Sequence, residues 1–243
     1  MTSLPILTYH RLLAETPTSA VDPKRISVSQ TQFRQHLRGL HWLGYKTMAL
    51  PDYIRRLKQR EPVPSRTVAI TFDDGYEEVL TLGLPVLKEF GYTATVFAVL
   101  GQLGGSNQWD DGAAKLLTQT QLLELDAAGI TIGAHTCQHV HLTRVGVDQA
   151  RKEIKDSKSL LEKVLGHPVT LFAYPYGETD DQVDGFVHEA GFEAAFATDR
   201  APIDHASNLY RIRRAVIFPR NTTWEILIKS QGWYSSYQDW KRR

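Results

Sequence analysis

Short apolar runs, many of them β-branched, alternate along this chain with longer stretches in which apolar residues recur every three or four positions. The runs predict strands over residues 5–9, 45–48, 68–72, 93–99, 130–134, 170–173, 194–198 and 213–218. The recurrent stretches predict helices over 29–43, 50–60, 77–90, 118–128, 147–165, 179–190 and 222–229. Ser29 stands where an N-cap belongs, ahead of Phe33, Leu37 and Leu40 on one face. Gly91, Gly129, Gly166 and Gly191 each follow a helical stretch, where glycine favours the exit from a helix. Strict alternation implies right-handed βαβ units around a parallel sheet. Seven or eight such units in 243 residues fit an α/β fold of the distorted (β/α) barrel type better than an open sheet. The whole of 1–243 reads as one domain, with 221–243 a C-terminal helix and an aromatic, basic tail. Residues 100–112, with Gly101, Gly104, Gly105 and Trp109, read as a long exposed loop rimming a pocket.

Composition narrows the function classes. Lys and Arg total 28 against 27 Asp and Glu, a net charge of +1 that gives no electrostatic case for nucleic acid or an anionic membrane. Cys137 is the single cysteine, which excludes an internal disulfide and any cysteine-rich zinc site. No run reaches the length of a membrane span, and residues 1–8 lack the basic and apolar segments of a signal peptide. As written the chain reads as cytoplasmic; one trimmed of its leader would look the same. Oligomeric state is not legible.

The chemistry begins at Asp73-Asp74-Gly75, directly after the apolar run 68–72. Adjacent strand residues point to opposite faces, so a turn opened by Gly75 is needed to bring both carboxylates to one rim. Two carboxylates so close favour a shared cation. His135 and His139, at i and i+4, are expected to share a helical face, which would point Cys137 elsewhere. A third polar cluster, Tyr174-Pro175-Tyr176-Gly177, also follows a predicted strand. Active sites of (β/α) barrels lie at the C-terminal strand ends, so the three clusters are expected to converge. One carboxylate and two imidazoles make an N/O set for a divalent ion, zinc before cobalt or nickel, with open positions for water and substrate. The second aspartate is then free to take a proton as water attacks a carbonyl.

These residues resemble the sequence blocks of the polysaccharide deacetylases with a NodB-type homology domain, the fourth carbohydrate esterase family. Thr71-Phe72-Asp73-Asp74-Gly75, His135-Thr136-Cys137-Gln138-His139 and Phe172-Ala173-Tyr174-Pro175-Tyr176-Gly177 carry the resemblance, which spans about residues 4–220. It implies a distorted, TIM-related barrel and removal of N- or O-acetyl groups from sugars. It also implies Asp73 as catalytic base, Asp74, His135 and His139 as metal ligands, and the Tyr176 backbone N–H as oxyanion donor. Phe172 or Ala173 stands where the family often has an arginine that orients the base, and the family's C-terminal Leu-x-His, which supplies the acid, is missing. The opening Tyr9-His10 resembles the branch of the poly-N-acetylglucosamine deacetylases, which assigns the general acid to His10. Among Arg211, Arg213 and Arg214, the last fits that branch's replacement for the orienting arginine. His141 is expected beside the site or on the surface, and Trp109 is a candidate platform for a sugar ring. The implied partner is an acetylated glycan or amino sugar. Two rival readings are an amidohydrolase acting on a cyclic imide or ureide, and a catalytically silent glycan-binding domain of the same fold.

Overall fold

Parallel strands roll into a nearly closed barrel in this computed structural model, which describes residues 3–16, 22, 24–110, 112–198, 205–232 and 234. In chain order the elements are β1 (Ile6–Tyr9), β2 (Arg11–Leu13), β3 (Ser27–Ser29), α1 (Gln30–Trp42), β4 (Lys46–Thr47), α2 (Leu50–Gln59), β5 (Thr67–Phe72), α3 (Leu84–Phe90), β6 (Thr95–Ala98), α4 (Gln119–Ala127), β7 (Thr131–Ala134), α5 (Val147–Leu165), β8 (Leu171–Ala173), α6 (Asp181–Glu189), β9 (Ala194–Ala197), β10 (Ile212–Arg213), β11 (Ala215–Val216) and α7 (Thr223–Lys229). The sheet runs β10-β9-β8-β7-β6-β5-β1-β11, every pairing parallel, with β4 set against the first two residues of β5. β10 and β11 are separated by Arg214 alone. The one segment 212–216 therefore pairs with β9 through Ile212 and Arg213 and with β1 through Ala215 and Val216. That single segment joins the two ends of the sheet and places Arg214 at the seam.

Alternation along the strands sorts the core into two layers. Leu7, Tyr9, Val68, Ile70, Phe72, Val96, Ala98 and Ile132 face the helices. Ile6, Ala69, Phe97, Leu171, Ala173, Ala194, Phe196 and Ile212 fill the barrel interior. Continuing the interior parity towards the C-terminal strand ends leads from Ala69 to Thr71 and Asp73, from Gly133 to His135, and from Ile212 to Arg214. The apolar filling thus gives way to a polar floor where the site begins.

The helices keep their sequence signals. Ser29 caps α1 by accepting from the Gln32 N–H, and Phe33, His36, Leu37 and Leu40 are its buried stripe. Thr118 with Gln121 and Thr222 with Glu225 form capping boxes at α4 and α7. Gly91 and Gly166 end α3 and α5 in the left-handed conformation.

Four expectations change. The helix expected over 77–90 is an α-helix only from Leu84; residues Val79–Gly83 form a wider π-helical turn. Pro85 has no N–H and its ring excludes the carbonyl of residue 81, so the α-ladder cannot run through. The strand expected at 213–218 is shorter and divided at Arg214. β2 and β3 pair with each other outside the barrel and escape a periodicity test at three residues each. The 100–112 loop is not freely exposed: Leu100 and Asn107 are buried, and Trp109 packs against a small cluster of Tyr76, Ala114 and Leu116. Of the aromatic tail, 233 and 235–243 lie outside the described residues. No helix among the described residues is long and apolar enough to cross a membrane.

Candidate active site

β5 delivers the two aspartates. Asp73 prolongs the interior column of the strand and its N–H donates to the Tyr9 carbonyl at 3.0 Å. The chain then turns sharply, because Asp74 and Gly75 take φ of +70° and +74° in succession. Glycine is required at the second position: a Cβ on Gly75 would meet the Ala98 Cα at 3.2 Å. The turn swings Asp74 onto the rim beside Asp73, and both side chains are buried.

His135 ends β7. Its Nδ1 lies 2.7 Å from the Ala173 carbonyl, which makes Nδ1 the protonated nitrogen and leaves the Nε2 lone pair free. His139 reaches the same point from a loop rather than a helix. The expected shared helical face is absent; Thr136 and His139 instead adopt φ of +65° and +55°, and the Thr136 Oγ accepts from the His139 N–H at 2.9 Å. Cys137 is half-buried and stands outside the cluster; burial first, then Glu153 and Asp156, push its thiol up to about 12.

Asp74 Oδ1 lies 3.4 Å from His135 Nε2 and 3.2 Å from His139 Nε2. The three donor atoms all fall within 4.8 Å of one another. Ligands about 2.0–2.2 Å from a tetrahedral ion sit about 3.3–3.6 Å apart, and the two Asp74–imidazole separations are of that size, so the donor set suits a small divalent cation. Burial would raise the Asp74 carboxyl, but His139, His135 and His10 hold it well below the usual range. Burial pulls His139 down against the opposing pull of Asp74, which favours the neutral imidazole that a metal ligand must present.

Asp73 is held differently. Arg214, 1% exposed, grips it through two parallel bonds, Nη1 to Oδ1 at 2.6 Å and Nη2 to Oδ2 at 2.8 Å. Nη1 also donates to the Thr71 Oγ at 3.3 Å, and Nε donates to the Ala197 carbonyl at 3.4 Å. Burial raises Asp73, but the Arg214 charge, His135, the Arg214 hydrogen bonds and His10 together hold it below the ordinary carboxylate value. Arg214 reaches Asp73 from the seam segment 212–216, far along the chain from Phe172. Arg211 instead pairs with Asp181 and Asp184 on the outside.

His10, one residue beyond β1, contributes to the electrostatics of both aspartates, and its buried Nδ1 has no hydrogen-bond partner among the described residues. Tyr176 occupies the turn after β8 with φ of +61°, half-exposed. Its ring stacks on His141 at 3.5 Å and meets His139 edge-on at 4.7 Å. His141 is fixed in turn by Glu178 at 3.1 Å. Trp109 lies flat on the His139 ring, with centroids 4.4 Å apart, and is only partly buried. The reading from sequence overlooked Tyr76. It is buried beside Asp74, and burial, then Asp74 and Asp110, raise its phenol far above the ordinary value. Its position directly after Asp-Asp-Gly was the available signal.

The profile of the family described as polysaccharide deacetylase matches residues 60–195. The poly-beta-1,6-N-acetyl-D-glucosamine N-deacetylase of Staphylococcus epidermidis is 27% identical over 241 residues, covering 92% of this chain and 81% of that one. Among solved structures, the Streptococcus pyogenes deacetylase PplD in complex with acetate superposes with a TM-score of 0.82 at 25% identity, covering 94% of this chain and 98% of that one. IcaB from Ammonifex degensii superposes with a TM-score of 0.78 at 25% identity, covering 97% of each chain. His10 and Arg214 both lie outside the matched segment, yet the fold brings them to the residues inside it.

Proposed function

Because this chain belongs to the polysaccharide deacetylase family, hydrolases that remove acetyl groups from polysaccharide, we propose that it cleaves the acetamide of N-acetylglucosamine units, with Asp74, His135 and His139 holding one divalent ion. The observation that carries this reading is the buried Asp-His-His cluster set directly beside an arginine-clamped aspartate. Zinc suits the mixed N/O set and the tetrahedral spacing, and cobalt or nickel fit the same donors. A bound divalent ion supplies a Lewis acid that polarises the acetyl carbonyl and lowers the pKa of water.

The chain's own groups do the rest. Asp73, ionised under the Arg214 clamp, accepts a proton from the attacking water. The clamp also fixes the orientation of the carboxylate, since both oxygens are engaged from one side by a planar guanidinium. The Tyr176 N–H, presented by the left-handed turn, donates to the oxygen that becomes negative as the carbonyl carbon turns tetrahedral. His10 gives a proton to the departing amine, which leaves as the amino sugar while acetate remains. The glycan is taken to be β-1,6-linked, on the strength of the staphylococcal relative. Nothing at the site favours a cyclic imide or ureide, and retention of all three donors together with Asp73 speaks against a silent binding domain.

The test is acetate release from β-1,6-linked N-acetylglucosamine oligomers, chitooligosaccharides and acetylxylan, with and without chelator. Turnover of the first substrate, lost on chelation and restored by zinc, is the expected result. No release from any of the three would sink the reading.

A further inference from the structure

We propose that Glu153 is a positioning residue for the metal-holding loop: its buried carboxylate fixes residues 136–139 so that the two imidazoles meet Asp74. The inference rests on the ligand assignment above and extends it to a residue that touches none of the ligand atoms.

Glu153 sits on the inner stripe of α5 with Ala150, Ile154, Ser157 and Leu161, where it is the only charged member. It is 8% exposed. A buried carboxylate is costly unless its oxygens are engaged. Here a single oxygen, Oε2, accepts from the N–H of Cys137 at 2.8 Å and of Gln138 at 2.9 Å. Those two residues lie between the histidines, in a loop whose ends are both left-handed at non-glycine positions. Each such residue costs about 1–2 kcal/mol, so the loop holds its shape only if its surroundings impose it.

The opposite side of the loop is held too. The Leu100 and Gly101 N–H groups donate to the Thr136 and Cys137 carbonyls at 3.1 and 2.9 Å. The space there is closed, since a Cβ on Gly101 would come within 2.6 Å of the Cys137 carbonyl oxygen. The loop is therefore clamped between residues 100–101 and the Glu153 carboxylate, and only the latter carries charge. If α5 packing were its whole purpose, an apolar side chain would serve better at this position. Charge-assisted bonds to backbone N–H are stronger and shorter than neutral ones, which suits a clamp on a strained segment. Groups that orient metal ligands from behind typically govern metal affinity by 10–100-fold.

The experiment titrates metal-free protein with zinc alone, using calorimetry and chelator competition, in wild type, Glu153→Ala and Glu153→Gln. Glu153→Ala is expected to bind zinc about 10–100-fold more weakly while its circular dichroism stays that of wild type. Glu153→Gln keeps a carbonyl oxygen able to accept both N–H groups and is expected to recover most of that loss, which a general weakening of α5 would not produce. Should Glu153→Ala not fold, Glu153→Asp, too short to reach both N–H groups, is read in its place. Zinc affinity in the folded alanine or aspartate variant equal to wild type overturns the proposal, as does a glutamine variant no better than alanine. Wild-type protein that takes up no zinc overturns the ligand assignment itself, so the two failures are told apart.

Discussion

Replacing Arg214 with methionine isolates the contribution of the Asp73 clamp. The guanidinium is 1% exposed and makes two short bonds to a carboxylate that is itself buried. Methionine roughly matches the volume of the stem, so the chief loss is electrostatic: Asp73 remains in place without its counter-charge. Removing one partner of a buried pair typically costs about 3–5 kcal/mol. For a chain of this size that lowers the thermal midpoint by about 6–20 °C, at about 2–4 °C per kcal/mol. The cost has a pH signature. In wild type Asp73 lies below its ordinary value, so its stabilising contribution is present above the unfolded carboxylate pKa, about 3.9, and is lost as pH falls through the lower folded value. In the variant, burial raises the carboxyl with only His135 and His10 opposing, so ionised Asp73 becomes a burden near neutral pH. The stability gap between the two proteins is therefore widest near pH 7 and narrows as pH falls towards 4. Urea unfolding of both at several pH values measures it, and the difference between them cancels the groups they share. A gap near pH 7 under about 1 kcal/mol, or one that does not shrink on acidification, would refute the argument. In the same variant the acidic limb of the kcat/KM profile moves to higher pH, because the base must lose its proton against burial without the guanidinium to favour its charge.

Asp73→Asn should lower acetate release by about 10²–10⁴-fold while zinc still binds, since the base is removed and Asp74, His135 and His139 are kept; unaltered turnover would remove Asp73 from the role. His135→Ala should abolish stoichiometric zinc uptake, measured by atomic absorption after gel filtration, because it deletes one of three protein donors. Gly177→Ala should cost at least about 1–2 kcal/mol in urea unfolding and depress kcat: φ is +66° there, and the added Cβ would overlap the Thr198 side chain beneath the Tyr176 turn. Alanine at Phe33, fully buried against Tyr9 and Phe72, should cost about 3–5 kcal/mol and leave zinc affinity of the folded protein unchanged, which separates core from site.

The alternation of apolar runs with amphipathic stretches was enough to specify a (β/α) barrel, because burial on both faces makes parallel strands read as continuous apolar segments. It also carried most helix limits, since Ser29, Thr118, Gly91 and Gly166 act on the backbone next to them. Asp73, Asp74, His135 and His139 stood out for a similar reason: each cluster follows its strand directly, so local order already places it at the barrel mouth. Tertiary structure decided everything that depends on closure of the sheet. The segment 212–216 shows only a short apolar pattern, and nothing local says that it joins β9 to β1 with Arg214 at the seam facing Asp73. The histidine loop looked helical because spacing alone cannot distinguish i,i+4 on a helix from two left-handed residues bracketing a clamp. Glu153 follows the same rule, for its hydrogen bonds to the histidine loop are a relation between separate segments, and a sequence records only neighbours along the chain.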